Sequence, residues 1–534
     1  MSDLQASPPI VLGAAYICAV WACTVIGVQL VGISTLFRTC SSPPPRPISP
    51  SLDDAQVPHI TIIRPVKGLE PGLYDCLAST FRQVYPRQKL SLRLCVASPD
   101  DPAIPTIKRV IADFPGLDSR LLIETEDPRL RGSHGALDHL GPNPKIRNIS
   151  RAYREARGDL VWIVDCNVWV GRGVAGRMVD KLCGFGPRGQ IHTPFKFVHQ
   201  LPLVVDVDVP DHQPIPETRR PLSPDSDPDS GLRDGLRPGR GAGGRLEEMF
   251  MATTHAKFYS AINIVGVAPC VVGKSNMFRK SHLERLTDPA QNPILSPAEA
   301  CRGRGLDFFS SIICEDHLIG DLLWRSSLPG FANHGLVYGD VAIQPMAGMS
   351  IAAYVARRVR WLRVRKWTVI AATLVEPGVE SVLCCLYLAF AMTTIPWVHL
   401  HTGLPQTWAA MGALWLAALS VWMLADRCVY IRLHACRSVE RDDFTPAFAR
   451  GGQHRPFGCW LLAWLGRELL ALPIWTWAVL LGATVNWRGE EFRVRTDMSV
   501  VRINAKQVDD SSRAVRSANG HAQSDRWGSK DRVD

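Results

Sequence analysis

Residues 9–37 contain no charged side chain. At about 1.5 Å per helical residue such a span covers the ~30 Å hydrocarbon core of a bilayer with room to tilt, so whatever follows folds at a membrane surface. A cleaved leader wants a basic start and a short apolar core; here the only early charge is Asp3, and the first positives, Arg38 and Arg46, follow the span. By the positive-inside rule the N-terminus lies outside the cytosol and residue 38 onward lies inside it. Apolar segments at 379–397 and 408–424 read as further membrane helices, and 469–485 as a third. These assignments conflict. If the first two cross, the basic loop 427–455 is cytosolic, and a third crossing leaves the basic segment 487–495 on the far side. Arg467 and Glu468 adjoin that third segment, and a charge at a helix centre costs roughly 3 kcal/mol, which speaks for a re-entrant or interfacial piece. Two to four transmembrane or re-entrant helices are therefore expected over 379–486.

Between the anchor and these helices there is length for a large core. After a Pro-rich linker at 38–58, residues 59–65 read as a buried strand, 90–97 as a second, alternating one and 159–165 as a short apolar run with β-branched residues, with a helix between the first two. Strands alternating with helices predict an α/β domain over 59–366 with a largely parallel sheet, whose ligands bind beyond the carboxyl ends of the strands. Residues 268–272 (APCVV) read as another strand, 351–366 as an interfacial helix, 206–245 as a disordered insertion and 496–534 as a disordered tail. Lys and Arg number 60 against 50 acids, a formal charge of +10, concentrated at 357–366 and 427–455. That placement suits anionic membrane lipids and phosphates; the central region has no basic groove interleaved with aromatics, so nucleic acid is excluded as a partner. The fifteen cysteines form no CxxC pair or zinc spacing and read as reduced thiols.

Acids at strand ends draw attention first. Asp101, after the run 90–97, is an ordinary Asp-Pro turn residue by itself and a nucleotide contact in this position. Asp165, followed by Cys166 and Asn167, resembles a reduced DxD, where one carboxylate could hold Mg²⁺ or Mn²⁺ against a diphosphate. Glu315 and Asp316 are candidates for a general base, or a charge pair at a helix start, and their adjacency raises the pKa of one of them. Arg357, Arg360 and Trp361 belong to RRVRW (357–361): guanidinium groups can clamp a diphosphate and an indole can stack on a sugar, though the same residues serve as a juxtamembrane anchor. Lys145 in NPKIRN could reach phosphate or be solvated, His255 in TTHAKFY is a structural histidine or a contact, and Cys270 packs near the site. Gly273, Lys274 and Ser275 lack the upstream glycine of a phosphate-binding P-loop.

The order of acid, acid, Glu-Asp, RxxRW and membrane helices, together with RPVKGLEPGL (64–73), LCVASPDDPA (94–103), NPKIRN, WIVDCNVWV (162–170), THAKFY, PCVVGKSN (269–276) and CEDHLI (314–319), resembles the membrane glycosyltransferases with a GT-A-type, Rossmann-like domain, within them glycosyltransferase family 21. The resemblance runs from about residue 63 to 495. It implies Asp101, Asp165 and Asp316 as signature acids, residues 357–361 as the closing motif, UDP-glucose as donor and ceramide as acceptor. It also implies a divalent metal and a Golgi or endoplasmic-reticulum membrane with the site facing the cytosol. Arg147 stands where the family has Asn, Ala256 where it shows Pro, and the insertion 206–245 is foreign to the animal members. Arg rather than Gln at 357 and the small number of spans argue against a processive polymerase. A sterol, a hopanoid-like lipid or diacylglycerol as acceptor, or a non-catalytic binding role, are the rival readings.

Overall fold

The computed structural model describes residues 8–131, 140–207, 241–452, 455–487, 490–496 and 498–503. Most of the expected insertion and the tail from 504 onward lie outside them; the described flanks of the insertion are ordered, Asp206 ending a strand and Ala242 opening a helix.

The α/β domain is built on seven strands: β1 (Ile60–Pro65), β2 (Leu90–Val96), β3 (Asp118–Ile123), β4 (Leu160–Val164), β5 (Phe195–Asp206), β6 (Ser275–Arg279) and β7 (Ala332–Met346). Their spatial order is 3-2-1-4-6-5-7, and β6 alone runs antiparallel to its neighbours. The mixed α/β sheet agrees with the GT-A-type domain expected. β1 and β2 are buried along their whole length because helices cover both sheet faces: Ile60, Ile62, Leu92 and Leu94 enter one core while Ile63, Cys95 and Val161 enter the other. The run at 268–272 is not a strand. It forms a loop, and β6 begins at Ser275, where Asn276 and Met277 pair with Ile163 and Trp162.

Nine helices position the site and the membrane region: α1 (Pro9–Thr39), α2 (Pro144–Arg154), α3 (Ala242–Phe250), α4 (Ala256–Val265), α5 (Glu315–Arg325), α6 (Ile351–Arg365), α7 (Ser381–Thr394), α8 (Trp408–His434) and α9 (Phe457–Leu480). α1, α8 and α9 are long and apolar enough to cross a membrane. α7 follows a shorter helical stretch, 370–379, at a bend of 72°. Pro377 sits in the turn, and Gly378 offers its carbonyl to Trp21 Nε1 of α1 at 2.8 Å.

α9 begins twelve residues earlier than the apolar run suggested, and both of its ends touch the α/β domain. Just before it, Arg455 pairs with Asp206 and Glu248, each at 2.9 Å, and Glu440 pairs with Arg177 at 3.1 Å. Just after it, β8 (Thr484–Trp487), β9 (Glu490–Val494) and β10 (Val500–Arg502) form a small antiparallel sheet, and Val500 N donates to Ser311 O at 2.9 Å. The stretch 500–502, expected to be disordered, is a strand, and the expected third C-terminal membrane segment is α9, which is long and apolar enough to span and packs along α3 and α6 through Ile474, Leu246, Tyr354 and Leu362. The outer stripe of α9, Leu462, Leu465, Leu469, Leu472 and Leu480, is exposed while Trp460, Ala463, Trp464 and Arg467 are buried on the other face.

One buried ion pair joins the domain to the spans. Lys257 of α4 reaches Asp426 of α8 at 2.5 Å, Trp464 Nε1 of α9 donates to the other carboxylate oxygen at 2.9 Å, and both charged side chains are inaccessible. Gly32 of α1 is packed onto the Lys257 carbonyl so closely that a Cβ would lie 2.1 Å from it. Removing one partner of a buried pair leaves an uncompensated charge, a loss of about 3–5 kcal/mol, whereas replacing both by apolar groups is often neutral. Lys257→Met is expected to lower the thermal unfolding midpoint in detergent strongly, and Lys257→Met with Asp426→Leu to recover most of it. A single variant as stable as the parent would remove the pair from this role.

Candidate active site

Four of the residues singled out from the sequence meet at the carboxyl end of the sheet. Asp165 follows β4 directly, Lys145 lies in the first turn of α2, and Glu315 and Asp316 open α5. Asn143 makes this convergence possible: its side chain caps α2 by accepting from Lys145 N at 2.8 Å and Ile146 N at 3.1 Å, while its Nδ2 donates to the Ile312 carbonyl and, at 3.3 Å, to Glu315 Oε2. The starts of two helices are thereby pinned together, and their positive ends face the carboxylates.

Lys145 is buried, not solvated. Its Nζ lies 3.1 Å from Asp165 Oδ1 and 3.1 Å from Glu315 Oε1. Burial alone would lower its pKa, but Asp165, Glu315 and Asp316 together raise it above the ordinary lysine value. Lys274 takes the second oxygen of Asp165 at 3.0 Å. Burial pushes the Asp165 carboxyl up, and the two ammonium groups overcome that and hold it well below the usual carboxylate range. Asp316 differs. Its carboxylate makes no ion pair among the described residues, it is half-buried, and burial together with Asp165 keeps its pKa above the ordinary value although Lys145 and the His317 N–H pull it down. Glu315 is raised too, by burial first and by Asp316, but both its oxygens are engaged. Gly273 lies against Asp316, where an added Cβ would be 2.8 Å from Oδ2, so only glycine lets the carboxylate come this close to the Lys274 loop.

Sequence reasoning missed two residues here. Lys274 sits in a loop without P-loop spacing, and Arg64 sits in RPVKGLEPGL, where no spacing marks it. Arg64 is fully buried and donates from Nη2 to the carbonyls of Cys76, Cys166 and Val168 at 3.0, 3.0 and 2.9 Å, which fixes the turn after Asp165. An arginine immediately preceding the proline at the end of a buried strand was the available signal.

Asp101 stands apart at the rim. Its carboxylate accepts from Gly68 N at 3.0 and 3.1 Å and from Ala103 N at 2.9 Å, tying the loop after β1 to the turn after β2. Arg147, at the departure from the family pattern, pairs with Glu124 at 2.9 Å.

The RRVRW residues form a second group on α6. Arg357 pairs with the buried Glu247 of α3 at 2.8 Å and lies 4.9 Å from the Trp361 ring centre, so its charge is engaged structurally. Arg358 is stacked on Phe250 at 3.5 Å and makes no ion pair or hydrogen bond among the described residues. Arg360 is half-buried on the same helix, and Trp361 packs over Phe250, Met251 and Met346. Between α3 and α4 the chain makes a π-helical turn, Met251–His255, a departure from the α-helix often found at functional sites. It turns His255 toward Phe250 at 5.7 Å and Tyr259 at 5.2 Å. Burial, with Arg358 and Arg365 nearby, pushes the imidazole down to about 3, and its Nδ1 is buried without a partner among the described residues. Cys270 is inert: burial pushes its thiol up to about 12.

No three His, Cys, Asp or Glu side chains among the described residues form a metal-holding group. Asp165 therefore fits a divalent ion only in the manner of Mg²⁺, one carboxylate sharing the ion with substrate phosphates, with a lysine yielding one oxygen.

The chain matches the model described as glycosyl transferase family 21 over residues 16–201 and 298–500. It is 60% identical over 501 residues to a ceramide glucosyltransferase of Pyricularia oryzae, covering 93% of this chain and 96% of that one. With a ceramide glucosyltransferase of Gibberella zeae it shares 48% identity, covering 93% and 94%. A solved mannosyltransferase from Pyrobaculum calidifontis, in complex with GDP-Man and Mn²⁺, is a distant likeness at a TM-score of 0.36 and 17% identity, covering 79% and 98%. The extent of the family match and these identities establish that the chain belongs to glycosyltransferase family 21.

Proposed function

We propose that this chain transfers glucose from UDP-glucose to the primary hydroxyl of ceramide with inversion, giving β-glucosylceramide and UDP at a Golgi membrane, with the α/β domain facing the cytosol. The observation that carries the reading is Asp316: an unpaired carboxylate of raised pKa at the mouth of a site whose other acids are neutralised by lysine. A general base must reach the hydroxyl and must not be spent on a salt bridge. Both acids line the same cavity, but Glu315 is held by Lys145 and Asn143, whereas Asp316 makes no ion pair among the described residues.

In this mechanism Asp316 takes the hydroxyl proton as the acceptor oxygen bonds to the anomeric carbon and the bond from that carbon to the β-phosphate oxygen breaks. Lys145 and Lys274 face the charge that grows on the departing diphosphate, in a water-poor setting where such contacts are strongest. Arg360 adds a planar fork to the same phosphates and Trp361 borders the acceptor's approach. Asp101 shapes the loop against which the uridine end rests. A divalent ion shared between Asp165 and the diphosphate would supply Lewis-acid stabilisation of the leaving group when bound.

Asp316→Asn is expected to reduce turnover by roughly 10²–10⁴-fold while UDP-glucose binding, followed by calorimetry, persists; parent-like turnover would remove Asp316 from the role. The acid limb of the kcat/KM profile should lie above the ordinary aspartate range, because Asp316 must be ionised and its pKa is raised. Lys145 favours the ionised form, so Lys145→Gln should move that limb to higher pH; an unchanged or lowered limb in the pH–rate profile contradicts the assignment. Arg360→Lys keeps the charge but loses the fork, and is expected to remain membrane-bound with little activity; full activity would reduce the motif to an anchor.

A further inference from the structure

A second cavity, of about 330 Å³, lies between α6, the 376–383 turn and α9. Most of its wall is apolar, with Leu362, Val382, Leu472 and Ile474 among its residues, and it reaches the lipid-facing stripe of α9 at Leu469 and Leu472, which are 73% and 47% exposed. Such a pocket against membrane helices should be lined by carbon throughout. Instead Glu380, Arg467 and Glu468 stand in it. Arg467, 1% exposed, donates to Thr254 at 2.7 Å and pairs with Glu380 at 2.9 Å and with Glu468. These bonds do not use up the cluster's capacity. Arg467 Nε is buried with no hydrogen-bond partner among the described residues, and Glu468 Oε2 has none beyond the neighbouring Ser381 Oγ. Leaving such groups unmatched is costly, more so when they are charged, so a partner that matches them is strongly favoured.

The opposite end of the cavity lies at the RRVRW helix. Phe250 and Arg358 line it, Arg358 is stacked on Phe250 at 3.5 Å, and the Phe250 ring is 5.7 Å from His255. A ligand here would have its polar end between the carboxylate cluster and the RRVRW helix, and its chains running out past Leu469 and Leu472.

We propose that this cavity is the acceptor-lipid site and that Glu468, with Arg467, is its specificity determinant. The inference rests on the glucosyl-transfer reading above and locates its second substrate. The chemistry of the orphan atoms selects among lipids. A sphingoid amide offers an N–H and a secondary hydroxyl to carboxylate oxygens and a carbonyl to the Arg467 Nε–H. Diacylglycerol offers two ester carbonyls and no N–H, and a sterol has only the hydroxyl that would react. Both would bring the Glu468 carboxylate no amide donor, and specificity built on under-satisfied buried groups is steep. The volume fits a headgroup and the first carbons of two chains, with the remainder in the bilayer.

The test uses the full-length protein in detergent–lipid micelles. Glu468→Gln keeps the shape and weakens the acceptor, and Ala471→Phe fills the cavity without touching a charge. Both are expected to raise the KM for ceramide at least tenfold with the KM for UDP-glucose within twofold of the parent, and Glu468→Gln to narrow the preference for ceramide over N-methylceramide. Because either variant could fail to fold, a ceramide carrying a photoreactive group near its amide is also cross-linked to the parent protein; peptides covering 376–383 and 467–475 should be labelled, with unlabelled ceramide competing and diacylglycerol not. Labelling confined to other segments, or folded variants with parent-like ceramide KM, overturns the assignment. If the parent transfers glucose to no lipid, the glucosyl-transfer reading itself fails, an outcome distinct from transfer that is indifferent to these residues.

Discussion

A single buried ammonium organises the catalytic end of the domain. Among the described residues Lys145 alone pairs with both the acid after β4 and the acid opening α5, and through Asn143 its helix is tied to the start of α5. The balance of charge follows by counting. Two ammonium groups, Lys145 and Lys274, face three carboxylates, Asp165, Glu315 and Asp316. Buried charges tolerate little imbalance, so one acid must carry the deficit as a raised pKa. Asp165, held from both sides, remains ionised, and the strain of the excess falls on the adjacent Glu315 and Asp316. A diphosphate arriving at the lysines would add negative charge to the same enclosure and push Asp316 further upward, making it a stronger base when the donor is in place.

The loop after α8 and the sheet after α9 both contact the α/β domain, through Arg177 and Ser311. The basic residues of both segments therefore stand on the domain's side of the apolar helices, in keeping with the positive-inside rule. Arg467 and Glu468, a paradox at the centre of a spanning helix, become reasonable on the inner face of a helix packed against protein.

Parts of this were legible in the sequence and parts were not, for physical reasons. β1 and β4 stand out as short runs rich in apolar and β-branched residues, and β2 through the alternation of its leucines with Ser91 and Arg93. β5 and β7 did not, since they bury Lys196, His199, Gln200, His334, Asp340 and Gln344 beside apolar residues, a mixture no periodicity reveals. The acids of the site were found from their place at strand ends, but their partners were not: Lys274 is 109 residues from Asp165, and only the fold brings them together. Arg357 shows the same limit in reverse. Its chemistry suits phosphate, yet a buried glutamate 110 residues away claims it. The start of α9 was misplaced because Trp460, Trp464 and Arg467 face inward, so the outward leucines alone do not mark where the helix begins.

The two arginines at the head of RRVRW therefore divide labour by direction. A helix advances about 100° per residue, so neighbours on it face different surroundings. Arg357 turns toward Glu247 and fixes α6 to α3, whereas Arg358 turns toward Phe250 and the apolar cavity, with no anionic partner among the described residues. A guanidinium stacked on an aromatic face is desolvated without being neutralised, and its interaction with any incoming oxygen gains strength accordingly. Because α3 runs directly into the π turn that carries His255, fixing α6 to α3 also fixes Arg358 and Trp361 against Phe250 and His255. The motif's chemistry thus depends on an ordinary structural ion pair one residue away, which is why the order of its residues matters more than their count.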